Sequence, residues 1–368
     1  MTTQRMANLP GIEKDQIDTP ALLIDLDAME YNLNRMSDFF QDGPAKLRPH
    51  FKTHKTPILA HKQLEAGAIG ITCAKLGEAE VLVESGIKDI LIANQVIGPV
   101  KAARLAGLAG LARLTVAVDS EANLRELSAA ARHAGSQIRV VIEVDVGLGR
   151  CGVSSPEQAL ALAGAAAGLP ALQLVGVLGY EGHAVFLSDP EARRAAVNEA
   201  MGKLVKTAER LRQAGYPIEI VSAGGTGTYD LTGRFPGITE VEAGSYILMD
   251  TRYREVGSPF RCALTLLATV ISTPTPVRAV IDVGKKGLTV EHGLPEVIRP
   301  AGVRLTNLNE EHGHLEVDPQ KARLKVGDKV EIIPSHVCTT VNLHDTFHAI
   351  REGRLVAVWP IAARGKLT

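Results

Sequence analysis

Arg139-Val140-Val141-Ile142-Glu143 carries no polar residue between its charged ends, and Ile90-Leu91-Ile92-Ala93 is apolar throughout. Side chains alternate across a strand, so unbroken apolarity means that both faces are covered, as in a parallel sheet. Reading outward from these two runs, strand candidates fall at 47–52, 70–75, 89–94, 113–119, 138–145, 172–180, 218–223 and 239–243. Ala-rich or amphipathic segments near 56–66, 77–85, 99–110, 121–134, 156–167 and 190–214 predict helices between them; the connection after 218–223 is shorter. Parallel neighbours need a crossover, and this alternation supplies one for nearly every pair. Eight strand–helix units fit an α/β fold with a (β/α)8 barrel over residues 27–248 better than an open sheet. Lys52, Lys75, Asn94, Asp119, Asp145, Tyr180 and the 222–228 turn all fall at C-terminal strand ends, where a barrel gathers its chemistry.

The pattern changes near residue 250. Runs 263–272, 278–283, 329–333 and 354–359 read as strands without long helices between them, predicting a β domain over 249–368. A further strand, Asp18–Asp25, precedes the barrel and is expected to bring segment 1–26 into that β domain. The 368 residues suffice for such a barrel with an appendage. Forty basic against 41 acidic residues give a formal charge of −1, which offers nucleic acid or an anionic membrane no general attraction. No apolar run approaches the roughly 20 residues of a membrane helix. Met1–Pro10 lacks the order of a signal peptide, and Cys73, Cys151, Cys262 and Cys338 are scattered, so a cytoplasmic location is expected.

Two stretches bear on the chemistry. Arg48-Pro49-His50-Phe51-Lys52-Thr53-His54-Lys55 delivers a lysine to a strand end, where a pocket can lower its pKa and let the amine attack an aldehyde. Along an extended strand His50 and His54 share the parity of Lys52; the alternative is a solvated basic strand end with Lys55 as its companion. Ser222-Ala223-Gly224-Gly225-Thr226-Gly227-Thr228 is a turn whose backbone N–H groups, with the hydroxyls of Ser222 and Thr226, can converge on a phosphate. A second small-residue turn, Ala243-Gly244-Ser245-Tyr246, follows on the next strand, as in the usual barrel phosphate site. An amine for a Schiff base and a cradle for a phosphate handle together suggest pyridoxal 5'-phosphate. In Pro334-Ser335-His336-Val337-Cys338, strand alternation would put imidazole and thiol on one face, a good pair for zinc. A buried thiol beside a hydrogen-bonded histidine is the plainer reading, and His312, His344 and Asp345 are further candidate ligands. Arg150, in Gly147-Leu148-Gly149-Arg150-Cys151-Gly152, can pair with a cofactor phenolate, and Tyr180 can hydrogen-bond a pyridine nitrogen.

These pieces, in this order, resemble the fold-type III pyridoxal-phosphate enzymes. More closely they resemble the D-threonine aldolase, 3-hydroxy-D-aspartate aldolase and D-serine dehydratase group. The matching motifs are D-T-P-A at 18–21, R-P-H-F-K at 48–52, G-L-G-R-C-G at 147–152, G-G-T-G-T at 224–228, A-G-S-Y at 243–246, E-E-H-G at 310–313 and P-S-H-V-C at 334–338. The resemblance implies an alanine-racemase-like barrel with a C-terminal β domain, working as a homodimer. It implies that Lys52 binds the cofactor aldehyde, Tyr180 faces the pyridine nitrogen and Arg150 the phenolate oxygen. Thr226, with Gly225 and Ser222 of the same turn and with Gly244, Ser245 and Tyr246, would hold the phosphate. His336 and Cys338 would bind the metal. Aldolase relatives can carry aspartate at the position of Cys338, so cysteine shifts the expected metal toward zinc, with manganese, magnesium or cobalt as alternatives. Those relatives also place a histidine several residues after the tyrosine, near Phe186; His183 is the nearest substitute and a candidate catalytic residue, with Lys52, His336 and Cys338.

The activity so implied is cleavage of a small D-3-hydroxy amino acid, of the D-threonine or 3-hydroxy-D-aspartate type, to glycine and an aldehyde. The alternative is dehydration of D-serine or D-3-hydroxyaspartate to a keto acid and ammonia. A metal-independent racemase and a non-enzymatic cofactor carrier are the other readings; the β domain and the His336/Cys338 pair speak against the carrier.

Overall fold

Strand β1 (Ala21–Asp25) runs directly into helix α1 (Leu26–Gln41) in the computed structural model, which describes residues 10–368. Residues 1–9 of the expected N-terminal segment 1–26 lie outside the described residues. Helix α1 is absent from the sequence expectation because its charged residues mask its stripe. Leu26, Met29, Leu33, Met36 and Phe40 recur at helical spacing and are all buried.

The alternating part of the chain forms β2 (Lys46–Leu47), α2 (Pro57–Glu65), β3 (Ile71–Cys73), α3 (Leu76–Glu84), β4 (Asp89–Ile92) and α4 (Pro99–Ala109). It continues through β5 (Arg113–Val118), α5 (Glu121–Ala134), β6 (Ile138–Glu143), α6 (Pro156–Ala167) and β7 (Leu172–Leu178). It ends with α7 (Pro190–Gln213), β8 (Ile220–Ala223), α8 (Tyr229–Thr232) and β9 (Glu240–Val241). The helices start where local chemistry dictates. Ser120, Ser155 and Asp189 each accept a first-turn backbone N–H, and Pro156 and Pro190 open their helices without a donor to lose. Gly135, at φ +64, ends α5 in the left-handed conformation.

The described residues divide into two units. One comprises residues 36–52, 57–244 and 365–368. Its sheet runs β2-β9-β8-β7-β6-β5-β4-β3, with each neighbouring pair parallel. A parallel bridge between His50 and Thr72, with the Thr72 N–H donating to the Pro49 carbonyl at 2.9 Å, links the two ends of that path. The eight expected barrel strands are thus present, in an alanine-racemase-like architecture. Strand β6 is buried along its whole length, as its composition requires, and Leu91, Ala117, Val141, Val175, Leu178 and Ile220 cluster across successive strands. Buried Arg48, the residue after β2, pairs with Glu240 of β9 at 3.0 Å and with Asp89 of β4 at 2.5 Å.

The other unit holds the described residues up to Arg35, residues 53–56 and residues 245–364. Helix α9 (Thr251–Glu255) leads into β10 (Leu264–Thr275), β11 (Arg278–Ile281), β12 (Glu296–Arg299), β13 (Val303–Leu308) and β14 (Gly313–Val317). Then follow β15 (Lys329–Ile333), α10 (Val337–Val341), β16 (Thr346–Arg351) and β17 (Arg354–Pro360). The sheet order is β13-β14-β11-β10-β1-β16-β17, with β15 pairing β10 and β12. All pairs are antiparallel except β1 with β16. No helix among the described residues is long and apolar enough to cross a membrane.

Two local expectations are corrected. The strand expected over 47–52 ends at Leu47, and Phe51–Thr53 is a 3-10 turn, so alternation does not relate Lys52 to His50 and His54. Likewise β15 ends at Ile333: Pro334 has no N–H to continue the ladder, and Cys338 lies in the first turn of α10. His336 and Cys338 are therefore brought together by a helix start, not by strand parity.

Candidate active site

The turn after β2 places Lys52 half-buried, its backbone N–H 3.4 Å from His50 Nδ1. His50, His54 and Lys55 are all buried, which removes the reading of this stretch as a solvated basic end. The Lys52 ammonium lies 5.7 Å from the centre of the Tyr180 ring, just beyond β7. The Arg150 guanidinium, from the loop after β6, lies 5.8 Å from the same centre and 3.5 Å from Glu143 Oε1. Gly225 faces the same ring: a β-carbon there would stand 3.2 Å from Tyr180. Three strand ends and the glycine-rich turn therefore meet around one aromatic ring. His183 is exposed and packs over Gly147, where a β-carbon would come within 3.2 Å of the imidazole. Asp145 shapes that loop by accepting the Gly147 and Gly149 N–H groups at 3.0 Å each, which holds its carboxyl below the ordinary range.

Several carboxylates that motif reading passed over surround these residues. Glu143 is buried and accepts a 2.5 Å hydrogen bond from Gln95; burial raises its pKa, with Gln95 and Arg150 opposing. Glu242 is buried too, and desolvation pushes it up to about 8 against the opposing pull of Ser222, Lys52 and Arg48. The Ser222 hydroxyl donates to Glu242 at 2.7 Å, so this member of the expected phosphate set faces a carboxylate instead. Thr226 is almost fully buried within the turn, and Gly244 is the last residue of the long barrel segment.

In the β unit, Ser245 and Tyr246 lie in a buried 3-10 turn, with Tyr246 packed on Phe260 at a ring separation of 5.6 Å. The Ser245 hydroxyl is 3.9 Å from Cys338 Sγ, and Thr53, the residue after Lys52, has its hydroxyl 3.5 Å from the same sulfur. His336 Nδ1 meets Glu291 at 2.8 Å, Glu291 also accepts the Thr339 hydroxyl, and the His292 ring lies 4.8 Å from that of His336. Burial disfavours the charged imidazole, but the hydrogen bond and charge of Cys338, with Glu291 and Asp250, outweigh it and raise His336 to about 9. Asp250 fixes the helix start by accepting the Val337 N–H at 3.0 Å. His344 is engaged by the Gly287 carbonyl at 2.8 Å, Asp345 pairs with Arg364, and His312 is exposed. Among the described residues no group of three or more His, Cys, Asp or Glu side chains is arranged to hold a metal.

Two family models match the chain. "Alanine racemase, N-terminal domain" matches residues 24–252, and "Putative serine dehydratase domain" matches residues 263–350. D-threonine aldolase from Arthrobacter sp. is 40% identical over 360 residues, covering 97% of this chain and 95% of that protein. The chain belongs to the D-threonine aldolase family. A crystal structure of D-threonine aldolase from Filomicrobium marinum superposes with a TM-score of 0.96 at 38% identity, covering 98% of this chain and all of that one. 3-Hydroxy-D-aspartate aldolase from Paracoccus denitrificans (strain Pd 1222) is 36% identical over 97% of this chain and 95% of its own length.

D-threo-3-hydroxyaspartate dehydratase from Delftia sp. (strain HT23) is less similar, at 34% over 93% of this chain and 97% of that protein. Solved variants of D-threo-3-hydroxyaspartate dehydratase replace a histidine and a cysteine two positions apart, and the cysteine variant is described as metal-free. As a member of the D-threonine aldolase family the chain is a lyase, and its family implies pyridoxal phosphate. Glu242 and Glu291 carried no motif signal, because the partners that engage them, Ser222 and His336, lie 20 and 45 positions away in the chain.

Proposed function

We propose that this chain is a pyridoxal-phosphate- and metal-dependent aldolase that cleaves small D-3-hydroxy amino acids to glycine and an aldehyde. The observation that carries the reading is the convergence of Lys52, Arg150 and Gly225 on the Tyr180 ring. That set suits a flat cofactor with an aldehyde, a phenolate and a phosphate. Lys52 offers the amine, Arg150 the charge for the phenolate, Tyr180 a phenol for the ring nitrogen, and Gly225 the clearance for a phosphate-binding backbone. When bound, the cofactor supplies an electron sink for the pair left at Cα as the Cα–Cβ bond breaks.

Arg150 does more than neutralise charge. Held by the buried carboxylate of Glu143, it enters the site with its orientation set, and rigid placement lowers the entropy lost on binding. His183, over the Gly147 loop, is the group we assign to take the β-hydroxyl proton on its imidazole nitrogen. Thr226, Gly225 and Gly244 form the proposed phosphate set of the barrel unit, and the Ser222 hydroxyl donates to Glu242 at 2.7 Å.

His336 and Cys338 fit half of a zinc shell: a borderline-soft nitrogen–sulfur pair whose two members are already hydrogen-bonded. Glu291 meets Nδ1 of His336 at 2.8 Å, the kind of carboxylate contact that orients a histidine ligand. Two protein ligands leave room for water and substrate, which suits a catalytic ion that lowers the pKa of a hydroxyl. Support also comes from the dehydratase variant described as metal-free, whose altered cysteine has the same spacing from a histidine. Manganese, magnesium or cobalt are the alternatives to zinc. The active form is proposed to be a cytoplasmic homodimer.

Cys338 favours one second reading, dehydration of D-serine or D-3-hydroxyaspartate. Incubation of the purified protein with cofactor, a metal panel and D-threonine, D-3-hydroxyaspartate or D-serine separates the two by mass. Glycine with an aldehyde is the expected product; keto acid and ammonia alone would overturn the aldolase assignment.

A further inference from the structure

Glu181 follows Tyr180 directly and is wholly shielded from solvent. A buried carboxylate is costly unless its oxygens are satisfied, and Glu181 is satisfied entirely by the chain beyond β8. Its Oε2 accepts the Gly224 N–H at 3.1 Å, and its Oε1 accepts the Thr228 and Thr232 hydroxyls at 2.7 and 2.6 Å. No lysine or arginine pairs with it among the described residues. We propose that Glu181 is a positioning residue that presets the 224–228 turn for the phosphate monoester of the cofactor. This rests on the reading of that turn as the phosphate cradle.

The chemistry favours a carboxylate for this role. Its two carboxyl oxygens accept all three of these bonds, so the Gly224 N–H and both threonine hydroxyls point at it. Thr228 is thereby fixed as a donor, which turns its oxygen lone pairs toward the Gly225 N–H at 3.3 Å. Gly225 is the residue whose backbone passes the Tyr180 ring. One strand end thus sets both the aromatic surface, through Tyr180, and the glycine-rich turn, through Glu181. A glutamine could satisfy the same donors at only one of its two terminal atoms; its NH2 would confront either Gly224 or the two threonines. Glu181 acts through the turn, not by touching the ligand.

The test is a titration of the full-length chain, stripped of cofactor, with pyridoxal 5'-phosphate and with pyridoxal, which shares the aldehyde but lacks the phosphate. Wild type is expected to prefer the phosphorylated form by well over tenfold. Glu181→Gln is expected to lose about tenfold or more of affinity for pyridoxal phosphate, roughly 1.4 kcal/mol per decade, while pyridoxal binding stays within about twofold. Thr228→Val, which removes the link between Glu181 and Gly225 but leaves the carboxylate, should reproduce that selective loss and decides the matter if Glu181→Gln fails to fold. Equal loss for both ligands, or an unchanged ratio in a folded variant, overturns the role of Glu181 while leaving the cradle in place. If wild type itself binds both ligands alike, the cradle reading falls, and the proposal with it.

Discussion

Replacing Glu242 by glutamine should flatten the loss of stability that the cofactor-free chain undergoes between pH 5 and pH 8. The carboxyl is buried, and desolvation raises it from 4.5 to about 8. Ser222 donates to it, Glu240 adds repulsion, and Lys52 and Arg48 pull the other way. Below pH 4.5 the group is protonated in folded and unfolded chains alike, and no difference arises. Between 4.5 and 8 the unfolded chain releases a proton that the folded chain keeps. Stability therefore falls as pH rises, by up to about 1.4 kcal/mol per pH unit. Above 8 the loss is complete, with an upper bound of roughly 5 kcal/mol. Glutamine keeps an acceptor for Ser222 and does not titrate; any misfit of its NH2 shifts stability equally at every pH. Urea unfolding followed by circular dichroism at pH 5, 6, 7 and 8 should show the wild-type midpoint falling while the variant midpoint stays flatter. Parallel profiles across the window would refute the reasoning, because the carboxyl would then titrate as it does in the unfolded chain.

Lys52→Ala should abolish the visible absorbance that wild type gains on mixing with pyridoxal phosphate, and turnover with it; a retained band would remove Lys52 from the cofactor assignment. Cys338→Ala should leave the purified protein without its catalytic metal by elemental analysis, and Glu291→Gln should weaken metal binding about 10- to 100-fold through the orientation of His336. Unchanged metal content in both would dismiss the pair as ligands. Gly176→Ala should lower stability by about 3 kcal/mol or more, read as a fall in Tm, since its β-carbon would overlap the Ile220 carbonyl of the neighbouring strand.

The barrel was legible because its signals are local. An apolar run such as 138–143 states its own burial, Ser155-Pro156 and Asp189-Pro190 announce helix starts, and Lys52 and the 224–228 turn carry their chemistry in residue type alone. The β unit was read less completely. Strands β12, β13 and β14 are short or half-exposed, with charged residues facing solvent, and the buried run of β16 is interrupted in type by His348. The two turns that matter most, Phe51–Thr53 and the start of α10, both replace an expected strand end. A proline stands just before each, at Pro49 and Pro334, and removes the donor that a further strand residue would need.

The carboxylates were invisible for a deeper reason. Glu181 draws its donors from residues 43, 47 and 51 positions away, and Glu291 meets His336 across 45. In the sequence each is one acidic residue among 41, since nothing nearby distinguishes a solvated carboxylate from a buried acceptor. Closing the barrel makes the distinction for Glu181. Once β7 and β8 pair, its side chain has no water to turn to, and the hydroxyls of Thr228 and Thr232 become its solvent. Motifs therefore name the groups that would touch the cofactor, while the groups that hold those motifs in shape emerge only from burial and donor geometry.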